Sequence, residues 1–134
     1  MIRVEKAYRF HAAHRNKAAG EKCARIHGHT YHVECCFSFP NWKDGITILF
    51  QDLDSVVEPI IKKHCHYLLL DQSDTLAQIL EAANEPFLAL PFATTAENIA
   101  KYLFEQIAAA NVPITKIILS ETTTSKVIYE PQSF

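Results

Sequence analysis

Three histidines are placed so that they could share one metal ion. His27 and His29 stand two apart in an alternating run, so both imidazoles leave the same face of a strand. His14 ends an earlier alternating run, on the parity of that run's apolar face. If the two runs pair as a hairpin, His14 arrives beside His27 and His29. Three neutral imidazoles converging in this way form the donor set of a catalytic zinc site, which keeps its fourth position open. A structural zinc fits less well, because such sites usually recruit several thiolates. Gly28 between the two histidines permits close backbone approach.

Two further residues carry chemistry. Cys23 lies four residues before His27, with Lys22 and Arg25 as neighbours that would favour its thiolate. Spacing alone leaves it open as a fourth ligand, a catalytic thiol or a plain loop cysteine. Glu121 shares the parity of Ile117 and Leu119, so a carboxylate ends an apolar strand face. From sequence it reads equally as a site residue and as a strand end in solvent.

The elements that must position these groups follow from periodicity. Ile2 to Ala13 alternates with period two, and so does His27 to Phe39, which predicts two long half-buried strands. Residues 15–26 read as an exposed loop, and Ile46–Phe50 as a short strand extension. From Asp52 the spacing becomes helical through Leu53, Val56, Val57, Ile60, Ile61 and His64, with Pro59 a kink or a first turn. Asp74 is the expected N-cap of a shorter helix, and residues 84–93 a Pro-containing connection. Thr94-Thr95-Ala96-Glu97 matches a capping box ahead of a third helix, which Pro113 closes. Ile114 to Glu121 and Ser125 to Glu130 read as two final strands around the Thr122–Thr124 turn. The order predicts one α+β domain, residues 1–134, with an antiparallel sheet.

Composition excludes several classes. A chain of 134 residues, 49% hydrophobic and 21% charged, has the balance of a folded domain with one core. No apolar run reaches the ~18–20 residues a membrane span needs, and the first residues carry no apolar leader, so the expected compartment is the cytoplasm. A net charge of −2 gives no electrostatic reason for a nucleic-acid partner. The four cysteines do not suggest a disulfide framework: Cys35 and Cys36 are adjacent in a strand and would face opposite ways, so reduced thiols are expected.

Taken in order, Phe10-His11-Ala12-Ala13-His14-Arg15, Cys23-Ala24-Arg25-Ile26-His27-Gly28-His29, Thr95-Ala96-Glu97-Asn98 and Glu121-Thr122 resemble the 6-pyruvoyl-tetrahydropterin synthase and 6-carboxy-tetrahydropterin synthase family. The resemblance covers nearly the whole chain. It implies the tunnelling fold (T-fold), a four-stranded antiparallel sheet with helices inserted between strands 2 and 3, assembled as a homohexamer of two stacked trimers. It further implies that His14, His27 and His29 bind Zn2+, that Cys23 is the catalytic thiol, and that Glu121 with Thr95 anchors a pterin. The implied substrate is 7,8-dihydroneopterin triphosphate, and the implied product either 6-carboxy-tetrahydropterin with acetaldehyde (the queuosine pathway) or 6-pyruvoyl-tetrahydropterin, with triphosphate as leaving group. In that scheme zinc holds the side-chain hydroxyls and acidifies the adjacent C–H, Cys23 removes a proton and a histidine returns one.

The chain departs from this pattern where relatives carry an Asp-His pair after the first helix. Here the segment reads Lys63-His64-Cys65-His66-Tyr67. The preferred register puts Cys65 at the Asp position and His66 at the catalytic His, while the register one residue earlier would put His64 and Cys65 there. Either way the orienting carboxylate is absent, which raises the alternative of a catalytically impaired paralogue that still binds pterin and zinc. Leu49 also replaces an Asp found in many relatives, and the Leu70–Leu90 stretch is longer than in compact members.

Overall fold

The computed structural model describes residues 1–132. Two 13-residue strands, β1 (Ile2–His14) and β2 (His27–Phe39), dominate the chain and pair antiparallel over their whole length. The register sets His14 opposite His27, Ala12 opposite His29 and Phe10 opposite Tyr31. Even positions of β1 and odd positions of β2 therefore share one face. That face is the core: Phe10, Tyr31, Val33, Cys35 and Phe37 are buried, whereas Arg9, His11, Thr30 and His32 on the other face are exposed.

Three helices follow the hairpin. Helix α1 (Phe50–Lys62) buries Leu53, Val57 and Ile61 at four-residue spacing, and Pro59 sits inside its last turn. Helix α2 (Thr75–Ala82) is capped by Asp74, whose carboxylate accepts from the Leu76 N–H. Helix α3 (Ala96–Ala109) packs on the sheet through Ile99, Ala100, Leu103 and Ile107. Its cap differs from the expected box by one residue. Thr95, not Thr94, is the N-cap, and its hydroxyl accepts from the Asn98 N–H at 3.2 Å. The Asn98 side chain turns back to the Ala93 carbonyl, while Glu97 is exposed.

The sheet has six strands rather than four, and it is mixed. The expected antiparallel strands are all present, in the order β1-β2-β5-β6 with β5 (Ile114–Ser120) and β6 (Lys126–Tyr129). Two short parallel strands, β3 (Leu68–Asp71) and β4 (Leu88–Leu90), extend the sheet beyond β1. Both arise from the long Leu70–Leu90 region and its approach, where β4 replaces the expected irregular connection. They are too short, and too uniformly apolar, to announce a period of two. The expected strand at 46–50 is also absent: Lys43 and Ile46 form a single bridge, and Phe50 already belongs to α1.

One ion pair ties the added strands to the hairpin. Arg15 Nε donates to Asp74 Oδ2 at 2.8 Å and the guanidinium's second arm reaches Oδ1, a two-pronged contact with both side chains mostly buried. The Arg15 hydrogen bond holds the Asp74 carboxyl down to about 2, against 3.8 for a free one. A depressed carboxyl stabilises the fold above its unfolded value, and that contribution disappears as pH falls from about 4 through about 2. Acid unfolding monitored by circular dichroism should therefore show Asp74→Asn losing about 2 kcal/mol relative to the parent at pH 7 and converging with it near pH 2.

Candidate active site

The hairpin register brings the three predicted ligands together. The imidazole centroids of His14, His27 and His29 lie 4.7, 4.8 and 5.1 Å apart, and one ligand atom from each falls within 4.8 Å of the others. Two rings are oriented from behind. His14 Nδ1–H donates to the Thr94 carbonyl at 2.6 Å, and His27 Nδ1–H donates to the Arg25 carbonyl at 2.7 Å. A carbonyl at Nδ1 fixes the tautomer and leaves the Nε2 lone pair free to bind a metal.

The unpaired atoms sit where a metal would use them. Among the described residues, three buried side-chain polar atoms lack a hydrogen-bond partner: His14 Nε2, His29 Nε2 and the Tyr31 hydroxyl. Two of the three are imidazole nitrogens of the triad, and Tyr31 packs edge-on against the same two rings. Buried polar atoms rarely go unsatisfied without a functional reason. The donor set, its tautomers and its orphaned nitrogens together fit a divalent metal of the zinc type.

Glu121 is part of this group. It follows β5, and its Oε2 lies 3.2 Å from His14 Nε2 and 2.9 Å from His29 Nε2. Contact with His14, reinforced by the nearby His29 and His27, holds its carboxyl below the ordinary range despite partial burial. Burial in turn lowers the His29 pKa, favouring the neutral ring that a metal requires. Glu121 is therefore not a strand-end residue alone in solvent: the structure places it against His14 and His29.

Cys23 and Thr95 line the same cleft, a cavity of about 330 Å³ that also takes in all three histidines and Glu121. The loop before β2 returns to the sheet because Asn16 N–H donates to the Cys23 carbonyl at 2.7 Å, and a short 3-10 turn spans Lys17–Ala19. Cys23 is exposed, and all four cysteines are free thiols. Arg25, expected to favour the thiolate, is instead engaged with Glu21 at 3.2 Å.

His66 lies elsewhere. It lines a larger cleft, about 640 Å³, with His11 and Thr30 from the exposed face of the hairpin and with Glu85, and His29 borders both this cleft and the first. Its backbone adopts φ +68, donates to the His11 carbonyl at 2.6 Å and sets its ring 5.8 Å from that of His11. Within one chain, His66 and Cys23 line different clefts. Cys65 packs half-buried against the core, its Sγ accepting from the His11 N–H at 3.4 Å. His64, unassigned from sequence, is a core residue only 2% exposed. Its Nδ1–H donates to the Ile61 carbonyl and its Nε2 accepts from the Tyr102 hydroxyl, both at 3.3 Å, and burial lowers its pKa. Of the two histidines flanking Cys65, only His66 faces a cleft.

Fold and site together define a class: an α+β chain whose long hairpin carries three imidazoles that could hold a metal ion, beside a thiol and a carboxylate. The profile of the family described as 6-pyruvoyl tetrahydropterin synthase matches residues 3–132, and the chain belongs to that family. The 6-carboxy-5,6,7,8-tetrahydropterin synthase of Haemophilus influenzae is 32% identical over 140 residues, covering 97% of this chain and 99% of that one. Two solved structures share the fold. An uncharacterized protein from Wolinella succinogenes superposes with a TM-score of 0.77 at 18% identity, covering 98% of each chain. The 6-pyruvoyl tetrahydropterin synthase of Caenorhabditis elegans gives 0.70 at 19%, covering 98% of this chain and 96% of that one. Among the described residues, no helix is long and apolar enough to cross a membrane.

Proposed function

We propose that the chain is a zinc-dependent carbon–oxygen lyase that takes 7,8-dihydroneopterin triphosphate, releases triphosphate, and yields 6-carboxy-tetrahydropterin with acetaldehyde, water being consumed. The observation that carries this reading is the single cleft uniting His14, His27 and His29 with Cys23, Thr95 and Glu121. The 6-carboxy product is favoured over the 6-pyruvoyl one by the name of the Haemophilus relative.

When bound, zinc supplies Lewis acidity toward the hydroxyls of the substrate side chain. His14, His27 and His29 hold it, with Thr94 and Arg25 fixing the tautomers of the first two. Glu121 and Thr95 both line the cleft, where a carboxylate can accept two hydrogen bonds from the amino-pyrimidine edge of a pterin. Cys23, exposed and lining the same cleft, is the group that takes the proton. His66 returns a proton from a neighbouring subunit, since its own chain places it in a different cleft. This role requires the oligomer, for which the family's dimer of trimers is the natural candidate. The setting is the cytoplasm, with no nucleic acid or membrane as partner.

A second reading is favoured by Cys65. A thiol that accepts a backbone N–H and packs on the core does not orient an imidazole as a carboxylate does. In Ser-His-Asp systems, losing the function of such a carboxylate costs about 10⁴ in turnover. On this reading the chain binds pterin and zinc with impaired catalysis.

Incubation of zinc-loaded protein with 7,8-dihydroneopterin triphosphate, following triphosphate and acetaldehyde, separates the two. The lyase releases both stoichiometrically, and release of triphosphate without acetaldehyde would indicate the 6-pyruvoyl product. Stoichiometric zinc with no triphosphate after prolonged incubation leaves the binding paralogue.

A further inference from the structure

The β3–α2–β4 region takes no part in the chemistry above, yet it is anchored one residue from a proposed metal ligand. Asp74 is both the cap of α2 and the two-pronged partner of Arg15, so one carboxylate fixes a helix start and a guanidinium together. Arg15 directly follows His14, at the point where β1 ends. Its carbonyl accepts the Thr94 hydroxyl at 3.2 Å. Thr94 is 1% exposed, and its own carbonyl accepts the His14 Nδ1–H. Thr94 thus grips the metal-binding ring with its backbone and the end of the ligand's strand with its side chain.

We propose that Asp74 and Thr94 are positioning residues for His14, and that the β3–α2–β4 region braces the metal site. An imidazole serves a metal only when the correct nitrogen carries the lone pair and the ring is aimed, and both depend on the partner at the other nitrogen. Here that partner is a main-chain carbonyl, whose direction is set by whatever holds the Thr94 backbone. The hydroxyl contact to Arg15 holds it from one side, and the α3 cap at Thr95 from the other. Arg15 lies just past the end of β1, and its two-pronged contact with Asp74 anchors it there. His14 pairs with Leu69 of β3 as well, so the added strands support the ligand along its backbone too.

The inference rests on His14 being a metal ligand, and its test is a binding measurement rather than turnover. Zinc affinity is read by competition with a chromophoric chelator, ligand geometry by the visible spectrum of the Co2+-loaded protein, and stability by thermal unfolding after chelator treatment. Asp74→Asn keeps an acceptor for the α2 cap, Thr94→Val removes only the hydroxyl, and Thr94→Ser restores it. Asp74→Asn and Thr94→Val are expected to bind zinc about tenfold more weakly, in the range for loss of an outer-shell partner, with an altered Co2+ spectrum. Thr94→Ser should match the parent in both. If Asp74→Asn and Thr94→Val melt lower but keep parental affinity and spectrum, the contacts are merely structural and the brace is overturned. If His14→Ala binds metal as the parent does, the ligand assignment itself fails and the brace with it.

Discussion

His14→Ala is expected to lower zinc affinity by more than about 100-fold, enough for dialysis against a weak chelator to strip the metal completely. Three imidazoles are the minimum protein ligand set of an open zinc site, and two leave the ion mostly to solvent. His14 is the most buried of the three at 4% exposure, and its Nδ1 is held by a main-chain carbonyl, so its ring is fixed in place. The substitution also leaves the Thr94 carbonyl without its partner in a buried position, costing about 1–3 kcal/mol. The core beneath, built on Phe10, Tyr31, Val33 and Leu119, is untouched, so the chain should still unfold cooperatively. Metal content by mass spectrometry, read beside the unfolding curve, checks both halves of the expectation. The companion variant Cys23→Ala should keep one zinc per chain. Loss of zinc from Cys23→Ala as well would make the site a closed four-ligand structural centre.

The clustering of His14, His27 and His29 was legible in the sequence because a strand's period of two is rigid. Once β1 and β2 are recognised as alternating, the parity of Phe10, Ala12 and His14 and that of His27, His29 and Tyr31 can meet only on the buried face. Glu121 was half legible. Its parity with Leu119 was visible, but its contact with His14 and His29 depends on β5 lying beside β2, which no local pattern encodes. Thr94 was read as the cap itself because two consecutive threonines before a helix compete for one capping role, and propensity cannot say which is spent on Arg15. His64 carried the right helical spacing for burial, and it is buried, although it lies past the end of α1. The location of His66 was illegible for a different reason. A left-handed residue after a helix redirects the chain, and sequence gave no glycine there to mark the turn.

That location makes the largest prediction one about pairs of chains. Cys23→Ala and His66→Ala are each expected to lower turnover about 10²–10⁴-fold, the usual range for losing a proton-transfer group. If both groups served one chain's own site, mixing the two dead variants would give a dead mixture. The two clefts argue otherwise: Cys23 lines one with the triad, and His66 lines the other with His11 and Thr30, His29 bordering both. A subunit carrying His66→Ala still offers an intact Cys23 cleft, and a subunit carrying Cys23→Ala still offers an intact His66. Co-expressed at equal levels and paired at random, about one site in four receives both intact groups, so the mixture should recover about a quarter of the parent's activity. The edge strands β4 and β6 leave unpaired backbone through which such neighbours can join. Affinity tags of two kinds on the two variants establish that mixed oligomers have formed. Mixed oligomers without recovered activity would show that His66 completes no neighbour's site. The proton would then have to come from a group already in the metal cleft, and with His14, His27 and His29 holding the ion, that cleft offers Cys23 itself, Glu97, Glu121 or water.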